Sequence, residues 1–280
     1  MSQTLTEPVA EPVLSPYRWR WAALFVVLAA EVMDLLDALV TTIAGPSIRA
    51  GLGGSESLIQ WLGTGYTLAM AIGLITGGRL GDLYGRRRMF LVGLVGFVGG
   101  SVLCGLSLSP GMLIGARVVQ GLFGAVLLPQ GLGLIREVFP PKEVATAFGA
   151  FGPVMGLSAV GGPILAGWLV TADLLGTGWR AIFLINLPIG LLALAGALRF
   201  LPKTKGVVLG MVSSKVAQLE TIDALKRRAD EAAQHVDPAR CAISPQCGFA
   251  STMGGNPVTE ADERAKLRLC VEAARAIWGG

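Results

Sequence analysis

Six apolar runs constrain this chain more than anything else in it. They lie near residues 21–43, 58–78, 89–108, 112–135, 145–170 and 181–200. Each is close to the roughly twenty residues that a helix needs to cross a bilayer. Backbone N–H and C=O groups find no water in hydrocarbon, so runs of this length read as helices that satisfy their own hydrogen bonds. Only 15% of the residues are charged and 52% are hydrophobic, against roughly a quarter charged in a soluble domain. The 39 glycines suit helices that pack closely in lipid. Beyond about residue 203 the apolar runs stop and Lys, Arg, Asp and Glu become frequent. The expected organisation is a cytoplasmic N-terminal segment at 1–17, a six-span bundle at 18–203 and a soluble tail at 204–280. The first sixteen residues carry no Lys or Arg and no cleavage pattern follows them, so no secretory signal is read there.

The basic residues give an expected orientation. With the N-terminus inside, the cytoplasmic side holds Arg18, Arg20, Arg79, Arg86, Arg87, Arg88, Arg136, Lys142, Arg199, Lys203 and Lys205. The far side holds Arg49 and Arg180. This asymmetry places both ends of the bundle in the cytoplasm of a multi-pass cell-membrane protein. Trp21, Trp61, Trp168 and Trp179 fall near span ends, where interfacial aromatics are expected.

Polar residues inside the runs mark candidate sites. Glu31, Asp34 and Asp37 share one broad face of the first span, and each carboxylate costs about 3 kcal/mol at mid-bilayer on insertion scales. Such a face must look into the bundle or a wet cavity. It reads either as a proton or cation site or as interfacial carboxylates that are simply solvated. Arg117, early in the fourth span, needs an acidic partner from that set or must snorkel to the interface. Between the second and third spans stand Gly78, Asp82, Gly85, Arg86, Arg87 and Arg88. There the glycines permit a tight turn, and Asp82 is a candidate cap for the next helix and a partner for an arginine. The fifth span holds Gly149, Gly152, Pro153, Gly156, Gly161, Gly162, Pro163 and Gly167, a pattern that allows close crossing and a kink.

Taken together these stretches resemble the major facilitator superfamily, and within it the fourteen-span drug:proton antiporters. Leu36-Asp37 through Ala44-Gly45-Pro46-Ser47-Ile48 is similar to that group's first-span signature, although Thr42-Ile43-Ala44-Gly45-Pro46 departs from its usual Asn-Val-Ala-Leu-Pro. Gly78–Arg88 is similar to the cytoplasmic loop signature, and Arg117-Val118-Val119-Gln120-Gly121 through Pro129 to the fourth-span motif. Gly156–Gly167, with Ala166 where a glycine is common, is similar to the antiporter motif. Trp179-Arg180, Phe183 and Asn186-Leu187-Pro188 are similar to the usual start of the sixth span. The resemblance covers about 17–203. It implies the six-helix N-terminal bundle of that fold, an all-α membrane architecture without cofactors. It also implies efflux of drugs or small molecules driven by protons, with Asp37, Asp34 and Arg117 in proton coupling. Asp82 and Arg86 would latch the bundles, and Gly161, Gly162, Pro163 and Gly167 would form the span-five motif. A second transporter half is implied as the partner, so the bundle alone is expected to be inactive. Nothing points to nucleic acid.

The tail reads strand, helix, strand, helix. Val207–Val212 and Cys241–Ser244 have strand length, 218–235 has helical periodicity, and Thr259 opens a helix with a capping-box pattern. Its stretches Leu209–Lys215, Ser244-Pro245-Gln246-Cys247-Gly248-Phe249 and Lys266–Gly279 resemble the C-terminal end of cobalamin-independent methionine synthase-like proteins. That resemblance implies a fragment of a (β/α)8 barrel. It makes Cys247 a zinc ligand if a partner supplies the rest, since His235 matches no ligand position and the four cysteines have no CxxC spacing. Glu220 and Lys215 read as site residues by that resemblance or, more simply, as surface charges. Two other readings stay open: a methyltransferase fragment anchored to the membrane, and an anchor whose tail docks a soluble partner. The junction near Lys203–Gly206 reads as a fusion, a truncation or a misassembly.

Overall fold

Long apolar runs become long helices in the computed structural model, which describes residues 17–173, 176–203, 206–246, 249 and 256–279. The chain divides into two compact units, Met1–Pro202 and Lys203–Gly280.

In the first unit α1 spans Arg20–Leu52, α2 Ser57–Tyr84, α3 Arg86–Gly105 and α4 Pro110–Val138. They are followed by α5 (Pro141–Gly149), α6 (Phe151–Ala172), a 3-10 turn at Gly178–Arg180, α7 (Ala181–Leu184) and α8 (Asn186–Phe200). Local chemistry sets the ends. Gly85, at φ 95°, turns the chain from α2 into α3, a backbone conformation that favours glycine. Ser109 accepts the Met112 amide and Pro110 occupies the first turn of α4, a common start. The Arg20 guanidinium grips the Glu143 carboxylate with two bonds, at 2.7 and 3.1 Å, and ties α1 to α5.

Five helical stretches among the described residues are long and apolar enough to cross a membrane: Ser57–Tyr84, Arg86–Gly105, Pro110–Val138, Pro141–Ala172 and Gly178–Phe200. The 33-residue α1 is longer than any of them, but Glu31, Asp34 and Asp37 interrupt its apolar run. It also continues through Pro46 to Leu52, nine residues past the expected end near 43.

Small residues bring α4 against both α2 and α3. A Cβ at Gly77 would lie 2.2 Å from the Ala125 carbonyl oxygen, and one at Gly121 2.4 Å from that of Tyr66. Pro129 has no N–H to give Ala125, so the Gly77 approach brings backbone to a carbonyl already lacking its helical donor. Around these crossings Leu24, Val27, Met33, Phe90, Leu94, Phe97 and Leu134 form one buried cluster. Ile48, Leu62, Leu113 and Phe183 belong to another. One expectation needs sharpening. Trp179 stands at the start of the last span but its ring turns inward: it is buried, with its indole over Gly51 and edge-on to Phe183. The break in the fifth span falls at Ala150 between α5 and α6, one turn before Pro153, which has no N–H to give the Gly149 carbonyl.

The second unit is a parallel pair of strands with two helices. Strand β1 (Val207–Val212) pairs with β2 (Cys241–Pro245), Val207 opposite Cys241 and Gly210 opposite Ser244. Helices α9 (Ile222–Ala233) and α10 (Glu260–Trp278) bury Leu225, Ala229, Leu269 and Ala273 with Met211 and Val212. Two strands do not make a barrel, and nothing among the described residues closes one. Glu220 is not a surface charge. Its carboxylate accepts the Ser213 amide at 2.7 Å and faces the wholly buried Lys266 ammonium at 3.4 Å. Lys266 also donates to the Gln218 carbonyl at 2.6 Å.

Thr259 begins α10 with a complete capping box: its hydroxyl accepts the Asp262 amide and its own amide donates to the Asp262 carboxylate. Both Thr259 donors hold the Asp262 carboxyl below its ordinary range. This support is therefore present above pH 3.8 and fades as pH falls through the lower folded value. Thr259→Ala is expected to weaken the first turn by about 1 kcal/mol. Amide exchange at Asp262 and Glu263 in the full chain should rise roughly five-fold, and the Thr259 amide resonance should track the acid titration of Asp262.

Candidate functional site

The intramembrane polar residues converge on Asp37. Helix α1 carries Asp37, 1% exposed, and α4 carries Arg117, fully buried. The Arg117 Nη1 ion-pairs with Asp37 Oδ2. Asn186, at the start of α8, donates to the other oxygen, Oδ1, at 2.6 Å. Both oxygens of Asp37 thus face donors from other helices. Arg117 is held in turn by the Gln120 Oε1 at 2.7 Å and the Leu62 carbonyl at 3.4 Å. Its guanidinium lies 4.2 Å from the Tyr66 ring centroid, a cation–π stack inside the bundle. Ser101 of α3 closes the network, accepting from Gln120 at 2.6 Å and from Asn186 at 2.9 Å.

The three carboxylates of α1 are not equivalent. Asp37 has two donors from other helices. Asp34 accepts from the Tyr66 hydroxyl of α2. Glu31, 3% exposed, has an oxygen, Oε1, with no partner, and the missing side chain of Gly131 leaves room for it. All three are buried, which removes the reading of solvated interfacial carboxylates. Arg117 does not snorkel, for the same reason.

A second cluster lies at the α2–α3 turn. Asp82 sits inside the last turn of α2 rather than capping α3. It accepts from Arg86 at 3.0 Å, and the Arg86 Nε donates to Glu137 of α4 at 3.0 Å. Gly133 makes this possible, because a Cβ there would lie 1.6 Å from Arg86 Nη1. Arg87 donates to the Leu198 carbonyl of α8 at 3.3 Å. A Cβ at Gly78 would lie an ordinary 3.7 Å from the Pro129 side chain.

The span-five residues divide into two sets. Of the α5–α6 glycines, Gly162 alone comes against a neighbour: a Cβ there would lie 3.0 Å from the Leu36 side chain of α1. Positions 149, 152, 156, 161 and 167 have no atom of the described residues within 4 Å of a built Cβ. Helix α6 uses one stripe against α1, so the other glycines, with Pro163 beside them in the helix, bring no helices together within this unit. Reasoning from sequence missed Glu137, Tyr66 and Ser101 as partners. Glu137 and Arg86 are far apart in the chain, and only the fold joins them. Cys247 lies outside the described residues. Among those described, no group of three or more His, Cys, Asp or Glu side chains is placed to hold a metal.

The sequence pattern of the Major Facilitator Superfamily matches residues 21–230, well over half of the chain. The chain belongs to the major facilitator superfamily. It is therefore a multi-pass membrane protein of a transporter family whose members need no cofactor. One relative in the superfamily, a probable actinorhodin transporter of Streptomyces coelicolor, is 62% identical over 193 residues, covering 69% of this chain and 33% of that protein. Another, the tetracenomycin C resistance and export protein of Streptomyces glaucescens, is 43% identical over 200 residues, covering 70% and 36%. The chain thus spans about a third of the length of these curated relatives. Among solved structures it is similar to a bacterial homologue of the human lysosomal transporter Spinster in an inward-facing, occupied conformation. That match has a TM-score of 0.55 and 21% identity, and covers 66% of this chain and 44% of that one. At that identity the likeness shows the superfamily fold alone.

Proposed function

We propose that this protein supplies the N-terminal bundle of a proton-coupled exporter of small organic molecules. The observation that carries the reading is the buried Asp37–Arg117 pair, tied by Asn186, Gln120 and Ser101 into a network shared by α1, α3, α4 and α8. A charge pair this deep is expensive to bury, and in a membrane bundle ionisable residues mark ion and substrate paths. Asp37 and Arg117 couple proton and substrate movement, with Asp34 next in line through Tyr66. The proposed substrate class follows the relatives, whose names concern actinorhodin and tetracenomycin C.

Alternating access works between two bundles around a central site. The bundle is therefore proposed to act opposite a second one, with both of its own ends in the cytoplasm. Asp82 and Arg86, with Gly78, Gly85 and Arg87 shaping the turn, latch the bundles there, and the open glycine face of α6 (Gly161, Gly167) offers close approach. The 204–280 tail is proposed to be a soluble fragment related to the end of a methionine synthase-like barrel, joined to the bundle near Lys203–Gly206. Its support is the parallel strand–helix–strand–helix order.

The test is dye efflux from proteoliposomes under an imposed proton gradient. The full chain alone should give none, and co-reconstitution with a second bundle should give gradient-dependent efflux that Asp37→Asn abolishes. Gradient-driven efflux by the chain alone would overturn the need for a partner. Unchanged efflux by Asp37→Asn would overturn the coupling role.

A further inference from the structure

Three consecutive arginines open α3, and they are not equivalent. Arg86 is divided between Asp82 and Glu137. Arg87 is committed to the Leu198 carbonyl. Arg88 is exposed, and among the described residues it makes no ion pair or hydrogen bond. Nothing in the proposed transport chemistry uses it.

Arg88 stands at the head of a trough of about 480 Å³ lined by Leu91, Val92, Val95 and Gly96 of α3 and by Phe123 of α4. Residues 88, 91, 92, 95 and 96 stand at i, i+3, i+4, i+7 and i+8, so they form one stripe along the helix. The stripe runs about 12 Å from Arg88 to Gly96. Gly96 shapes its far end: the Phe123 ring occupies the space where a Cβ would stand, 2.1 Å away. Val92 and Val95 are 44% and 54% exposed, so the trough opens outward along its length. Its lining includes no acidic residue.

We infer that this trough binds one anionic glycerophospholipid, with its phosphate on Arg88 and an acyl chain lying along Leu91, Val95 and Phe123. The charge at one end and the apolar stripe below it match the two ends of such a lipid. A free phosphate would use the guanidinium and leave the stripe uncovered. A zwitterionic lipid would fill the stripe but bring a cation towards Arg86, Arg87 and Arg88. A single arginine near the surface favours an anionic headgroup by about five-fold. The inference stands apart from transport and does not depend on the coupling role of Asp37.

The experiment is native mass spectrometry of the full chain released from detergent, with equal amounts of dioleoyl phosphatidylglycerol and dioleoyl phosphatidylcholine. The wild-type protein should retain phosphatidylglycerol preferentially, and excess glycerol phosphate should not displace it. Arg88→Gln, an exposed change that the fold tolerates, should reduce the retained phosphatidylglycerol about five-fold and remove the preference. Val95→Trp, which fills the trough, should reduce both lipids while leaving Arg88 in place. Equal retention of the two lipids by wild type, or displacement by glycerol phosphate, would overturn the inference. So would unchanged phosphatidylglycerol retention in either variant.

Discussion

Arg117→Leu is expected to destabilise the first unit by about 3–5 kcal/mol, the range for breaking a buried pair from one side. The loss comes mainly from what is left behind. Asp37 stays buried, with Asn186 as its remaining donor, and the stack on Tyr66 disappears. Asp37→Asn removes the other charge and strands Arg117, whose Nη2 already lacks a partner. The double variant Asp37→Asn/Arg117→Leu removes both charges, so its loss should be well below the sum of the two. Unfolding in mixed detergent, read as a double-mutant cycle, measures this coupling. Additive losses would show that the two side chains do not act as a pair.

Gly121→Ala should destabilise by about 1–3 kcal/mol, although alanine is ordinarily the better helix former. The added methyl would stand 2.4 Å from the Tyr66 carbonyl oxygen. Backbone cannot rotate out of the way as a side chain does, so α2 and α4 must separate. That displacement would also move the Tyr66 hydroxyl from Asp34. Gly99→Ala is the matched control. No atom of the described residues lies within 4 Å of its built Cβ, so helix propensity acts alone and should stabilise by about 0.5–1 kcal/mol. The opposite signs, read in one detergent unfolding series, separate close approach from propensity.

Much of this molecule was legible beforehand, for physical reasons. Apolar length fixes a helix in lipid almost regardless of detail, and a carboxylate amid such a run must turn inward. Thr259 and Asp262 announce their capping box in four residues, because a cap is a local interaction. Contacts between distant helices left no comparable mark. Nothing in the neighbourhood of Tyr66 distinguishes it from an interfacial tyrosine until α1 is laid beside α2. Trp179 stands near a span end in the sequence, yet the space above Gly51 takes it inside. The α5–α6 glycines show a different limit: small residues permit an approach without naming the neighbour. Lys266 and Glu220 were legible only as charges, since their pairing spans two elements of a small core.

Helix α4 links the two polar clusters mechanically. Arg117 and Glu137 ride on the same rod, twenty residues and about 30 Å apart, one anchored to Asp37 within the bundle and the other to Arg86 at its end. Pro129 lies between them and removes one rung from the rod's backbone ladder. A load applied at either anchor therefore acts on a lever with a built-in compliant point. Torque at Asp37 is felt at Arg86 only in the proportion that this joint lets through.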